Sequence, residues 1–268
     1  MFKSHAIGIE ITPTKVYVVS LCGNKVSTYC SVLSPDWFER EQPINHRAIA
    51  NAIKSLPLKS KRIAASLPSN HVTVCDIVSD TLTVESLLKM SGHYFASPIE
   101  ELDIDCLQVS QGQFALIGSE RMLTDSYISV FKQAGLTLEA VESSFFSLLR
   151  AFEKIFYEYK GELVAIINVK ESFTELIVAK GCVPIFVRSL PIGLAKGSID
   201  ALIEEICHCI KDKSIISIFL IGCGERSALL APFGALQTPI INLDLFDKSV
   251  PASYEVAYGL ALRKVKNP

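Results

Sequence analysis

The sequence lacks any apolar run long enough to cross a bilayer, any CxxC pair, and any excess of charge of one sign. A spanning helix needs about 18 consecutive apolar residues, and the longest stretches here, such as Ile215 to Gly222, are under half of that. Lys and Arg number 26 against 28 Asp and Glu, a net charge of −2, so no overall field draws the chain to nucleic acid or anionic lipid. The eight cysteines (22, 30, 75, 106, 182, 207, 209 and 223) stand mostly in apolar surroundings, which predicts reduced, buried thiols. Cys207-His208-Cys209 comes nearest to a metal motif. On a helix, however, neighbours at i and i+2 diverge, and no second Cys/His pair lies at ligand spacing. The histidines are scattered, with no GxSxG-type nucleophile motif beside them.

What the chain does have is apolar residues, 49% of its 268, with only 20% charged. That excludes disorder, and the length predicts one large two-lobed domain or two small ones. Met1 to His5 leads directly into a patterned strand, without the basic, apolar and small-residue order of a secretory leader. The expected location is the cytoplasm.

Ala6 to Ile11 carries a strand pattern, Thr12-Pro13-Thr14 a turn, Val16 to Leu21 a second strand, Gly23-Asn24 a turn and Val26 to Leu33 a third. A similar meander recurs at Val164–Val169, Glu175–Ala179 and Ile185–Leu190. A constant offset of 158 lays Glu10 on Asn168, Thr12 on Lys170 and Gly23 on Gly181. A repeat of that length implies two lobes of similar topology, not a solenoid. Helical spacing follows at His46–Leu56, from Thr124, from Ser143 through Phe156, from Ser198 to Ile210 and from Ser253. Ile215–Ile221 reads as a central strand opening into Gly222-Cys223-Gly224. Between the lobes' elements, strand, strand, helix, strand, strand in about 60 residues reads as an inserted α+β subdomain.

These pieces carry a resemblance. Gly8-Ile9-Glu10-Ile11-Thr12, Leu67-Pro68, Asp105, Phe131 to Leu136, Arg188-Ser189-Leu190-Pro191-Ile192-Gly193 and Ala257 to Arg263 resemble the PilM family of type IV pilus machines. That family belongs to the actin-like ATPase superfamily and is related to FtsA and to the cytoplasmic part of the type II secretion protein GspL. The resemblance implies an α/β, actin-like (ribonuclease H-like) two-lobed fold with an FtsA/PilM-type inserted α+β subdomain. The corresponding boundaries are 1–61 and 124–157 for the first lobe core, 62–123 for the insert and 158–268 for a reduced second lobe. The last helix, 253–264, is expected to pack back on the first lobe, since no linker separates it as in a membrane-binding tail.

The superfamily places an Asp and a Gly in each meander turn, for Mg²⁺ and phosphate. Here the first turn has Glu10 and Thr12 and the second Asn168 and Lys170, while Gly222 and Gly224 keep the form of the third motif. Only Lys196 to Ser214 separates the Pro191-Ile192-Gly193 turn from the next strand, too little for the second-lobe subdomain that clamps adenine. The expectation is therefore a pseudo-ATPase with no cofactor and no catalytic residue, in which ATP and Mg²⁺ binding is doubtful. The resemblance further implies a non-enzymatic scaffold, peripheral at the inner membrane without inserting in it. It would bind a single-span partner (PilN-like, or GspL/GspM-like) and link it to a pilus or secretion motor ATPase. Ile63, Ala65, Leu67, Val72 and Val74 are the candidate contacts for the partner's tail. The alternative is a functional ATP-binding protein, PilM- or FtsA-like, with an altered site.

Overall fold

The computed structural model describes residues 5–159, 161–181, 183–195, 197–222, 238–242 and 250–263. In chain order the strands are β1 (His5–Ile11), β2 (Lys15–Cys22), β3 (Lys25–Val32), β4 (Phe38–Glu39), β5 (Gln42–Pro43), β6 (Arg62–Leu67), β7 (Val72–Val78), β8 (Leu102–Ser110), β9 (Gln113–Glu120) and β10 (Thr137–Ser143). They continue with β11 (Leu163–Val169), β12 (Thr174–Lys180), β13 (Val183–Leu190), β14 (Ile215–Ile221) and β15 (Ile240–Asn242). The helices are α1 (His46–Lys54), α2 (Val84–Lys89), α3 (Arg121–Ala134), α4 (Ser144–Ala151), α5 (Glu153–Glu158), α6 (Ile199–Ile210) and α7 (Glu255–Ala261). The chain divides into two compact units, Met1–Ala151 with Tyr254–Pro268, and Phe152–Ser253.

Each unit is built on a five-stranded sheet of one topology. In the first the order is β10-β6-β1-β2-β3, and in the second β15-β14-β11-β12-β13. The outer meanders are antiparallel, and β6 and β14 pair in parallel with β1 and β11. Adding 158 to β1 and β3 reproduces β11 and β13 residue for residue. Ile9 opposite Val18 becomes Ile167 opposite Leu176. Gly23 and Gly181 turn the two hairpins at φ +59° and +60°, the left-handed region that glycine enters without steric cost. The second unit departs from this in a register shift between Val178 and Ala179 in the β12–β13 pair and another between Leu163 and Val164 in the β11–β14 pair.

In the first unit α1 and α3 cover one sheet face, setting Ile49, Ile53, Tyr127, Val130 and Phe131 against Ile7, Ile9, Ile63 and Ala65. In the second unit α6 lays Leu202 and Ile206 on Ala165, Ile167, Leu176 and Val178, while Phe152, Phe156 and Tyr159 gather with Phe219. Burial on both faces is why the second unit's central strands read as unbroken apolar runs. Each fully buried Ile or Leu contributes about 1.5–3 kcal/mol.

Three boundaries differ from the sequence reading. Arg62–Leu67, assigned there to the insert, is β6 in the middle of the first sheet; its apolar run is that of a doubly covered strand. The insert is the antiparallel sheet β7-β9-β8 with α2, which closes a separate small core of Ile77, Leu87, Cys106, Phe114 and Leu116. The α3 helix begins at Arg121, ahead of Thr124, and the phenylalanine-rich stripe is broken at Phe152 into α4 and α5, one in each unit. The α7 helix belongs to the first unit, where Gly8 and Gly259 admit it. A Cβ at Gly8 would lie 2.0 Å from the Ala257 carbonyl oxygen, and one at Gly259 1.8 Å from that of Ser147. Glu142 ties the same corner, accepting from Arg150, Arg263 and Ser147.

Candidate functional site

The strand repeat puts the two candidate turns at equivalent places in the two units. In the first, the Thr12 N–H donates to the Lys15 carbonyl at 2.8 Å. Its hydroxyl donates to the same oxygen and accepts from the Lys15 N–H, each at 3.1 Å. Thr12 therefore closes the β1–β2 turn, and Pro13 has no N–H. Glu10 is buried at 5% exposure, directly across from Tyr17. Its charge is felt at Tyr127, whose phenol is held well above the ordinary value by burial first, then by Glu41 and Glu10.

In the second unit the Lys170 N–H donates to the Phe173 carbonyl at 2.9 Å, the counterpart of the Thr12 bond. Asn168 lies directly across from Glu175, a carboxylate at 0% exposure, and donates to it from Nδ2 at 2.6 Å. The Lys170 ammonium approaches the same oxygen, Oε2, at 3.9 Å and lies 5.7 Å from the Phe173 ring centroid. The segment after β13 crosses this turn. Leu194 and Ala195 donate to the carbonyls of Lys170 and Glu171, both at 2.8 Å, and Thr174 donates to the Ile192 carbonyl at 2.7 Å. Gly193 permits the crossing, since a Cβ there would stand 2.6 Å from three backbone atoms of the turn. Gly222, at φ +80°, abuts the same cluster: a Cβ would lie 2.5 Å from Asn168 Oδ1 and 2.4 Å from the Val169 carbonyl oxygen.

The structure thus brings Asn168, Lys170 and Gly222 together with Glu175, which sequence reasoning missed. Its signal was available: a turn at 170–173 makes 168 and 175 cross-strand neighbours, so an acid in an apolar strand faces the polar position. Gly224 lies outside the described residues. Of the candidate tail contacts, Ile63, Ala65, Leu67 and Val72 are buried in the first unit's core and present no surface to a partner. Val74 alone is partly accessible. Among the described residues no group of three His, Cys, Asp or Glu side chains is placed to hold a metal ion, and no helix is long and apolar enough to cross a membrane.

No protein-family model matches the sequence, and no curated protein matches it. Solved structures do. The PilM–PilN type IV pilus biogenesis complex contains a chain that superposes with a TM-score of 0.81 at 16% identity, covering 99% of this chain and 100% of the other. The chain has the actin-like ATPase fold, in the form PilM has. A Bacteroides thetaiotaomicron protein of actin-like ATPase fold and unknown function matches at 0.63 and 12% identity, over 91% of this chain and 94% of that one. The cytoplasmic domain of EpsL, an inner-membrane component of the Vibrio cholerae type II secretion system, matches at 0.56 and 9% identity, over 81% and 82%.

Proposed function

We propose that this chain is a non-enzymatic cytoplasmic scaffold of a type IV pilus or type II secretion platform. It binds the cytoplasmic tail of a single-span inner-membrane protein, links it to a motor ATPase, and has a degenerate nucleotide site. Likeness over nearly the whole chain to the PilM–PilN complex, and more distantly to EpsL, supports the scaffold and the kind of partner. The observation that carries the loss of ATP chemistry is the inward use of the turn residues. Lys170 faces buried Glu175, and the N–H groups of Thr12 and Lys170 are spent on Lys15 and Phe173. Backbone donors already bonded within their own turn are not free for phosphate oxygens. These residues do not suit a magnesium-bound triphosphate, and one helix, α6, stands between β13 and β14 where the superfamily has its adenine clamp.

Calorimetric titration with Mg·ATP tests the nucleotide half of the reading, with no binding expected up to millimolar concentration. Micromolar binding overturns it and favours an ATP-binding protein with an altered site. Titration with the cytoplasmic tail of a single-span protein encoded beside the gene tests the other half: saturable binding is expected, and its absence with every such tail removes the scaffold reading.

A further inference from the structure

The near-zero net charge of the first unit hides a separation. Residues 72–120, the insert, hold eight Asp and Glu against one lysine, Lys89. The rest of that unit's sequence holds fifteen Lys and Arg against eight Asp and Glu. Topology puts the insert's acids and four of those cations at opposite ends of β6. The insert leaves from the C-terminal end of β6 and returns at the start of α3. Lys59 and Lys61 lead into the N-terminal end of β6, joined by Lys54 and Lys132 at the last turns of α1 and α3. All four of these lysines are exposed, and among the described residues none pairs with a carboxylate. Lys54 and Lys132 also complement the carbonyl ends of their helices; Lys59 and Lys61 have no such role.

The acidic end carries an apolar component too. Cross-strand register puts Val78, Asp76, Leu107 and Asp105 on one face of the β7-β9-β8 sheet. Val78 is 78% and Leu107 46% exposed. Partial desolvation raises the Asp76 carboxyl from its ordinary value. At the lysine end, exposed Pro57 and half-buried Leu58 adjoin Lys59. With Arg121 paired to Asp103 at the insert end and Glu139 to Arg62 at the other, the surplus is carboxylate with two exposed aliphatic side chains at one, and lysine with a proline and a leucine at the other.

We propose that the two ends recognise each other between copies of this chain, the acidic sheet face of one molecule docking on the Lys54–Lys61 end of the next. Because the two surfaces lie at opposite ends of β6, a single end-to-end contact leaves one acidic and one lysine end unmet, so the contact is heterologous and either closes as a ring or propagates head to tail. Charge complementarity gives it a strong dependence on ionic strength.

Sedimentation velocity on the full chain tests this. Association is expected at low salt and dissociation at high salt. Lys59→Glu with Lys61→Glu, or Asp76→Lys with Asp105→Lys, weakens it by about tenfold or more. Mixing the two double variants restores it, because each then supplies the charge the other needs. Glu100→Lys with Glu101→Lys serves as a second acidic-end variant should the sheet-face pair fail to fold. A chain monomeric at low salt, or association indifferent to the reversals, overturns the proposal. So does capture of the wild type as a monomer on phosphatidylglycerol vesicles through the same lysines, which would make that end a lipid contact.

Discussion

In the first meander the buried carboxylate is Glu10, on β1, facing Tyr17; in the second it is Glu175, on β12, facing Asn168. The backbone register is the same in both, yet the acid has moved one strand over. There it accepts from Asn168 and lies within ion-pair distance of Lys170. The same scaffold therefore carries two different polar centres. The comparison extends to position 8 and its counterpart 166. Gly8 lets α7 lie directly on β1, whereas Ile166 fills that space with its own side chain. Only 18 residues lie between β14 and β15, where 69 separate β6 from β10 and include the insert. What a duplicated fold keeps is hydrogen-bond register and apolar alternation; single polar positions and connections are free to diverge.

The largest expected effect breaks the polar half of that comparison. Lys170→Met removes the ammonium 3.9 Å from buried Glu175 and should cost about 3–5 kcal/mol of stability. Adding Glu175→Leu should recover most of it, whereas Thr12→Val in the equivalent turn should cost about 1 kcal/mol. Urea midpoints of the three variants measure this, and equal losses at Lys170 and Thr12 would make the centres alike after all.

Alanine at the paired positions 8 and 166 sharpens the packing half. Ile166→Ala opens a cavity, at about 2–5 kcal/mol. Gly8→Ala drives a Cβ into α7, at about 1–3 kcal/mol. Only the second should hasten proteolytic cleavage of the chain around α7. Cleavage at equal rates in both variants would mean that α7 does not depend on the close approach at Gly8.

The smallest effect concerns the insert. Burial places the folded-state pKa of Asp76 above its unfolded value. Its contribution to stability is then fully present below the ordinary carboxylate pKa and lost as pH rises through the raised one. Asp76→Asn should remove that loss and flatten the stability profile of the chain across the carboxylate range. An unchanged profile would show that the Asp76 environment is wet.

Much of this architecture was legible because the side-chain period of a strand is two and survives duplication. Gly23 and Gly181, and the offset of 158, mark the repeat in the sequence itself. The place of β6 was not legible, because Ile63-Ala64-Ala65 suits an edge of an insert as well as a central strand; only its parallel pairing with β1 and β10 decides. The burial of Ile63, Ala65, Leu67 and Val72 was not legible for the same reason: an apolar strand residue reads alike whether it faces a partner or a core. At the candidate site the turn residues were legible by type. Glu175 was not, since its role arises from a neighbour across the sheet.

The sequence by itself determined that there are two meanders in one register, that neither turn keeps an Asp and a Gly, and that nothing in the chain is long and apolar enough for a spanning helix. Those properties are local, set by periodicity and residue type. The tertiary structure alone decided that Lys170 turns inward to Glu175, that α7 returns to the first unit through Gly8 and Gly259, and that the insert's acids and Lys54, Lys59, Lys61 and Lys132 stand at opposite ends of β6. Each of these depends on which distant residues come within a few ångströms, and burial, not sequence spacing, sets the energy of such contacts.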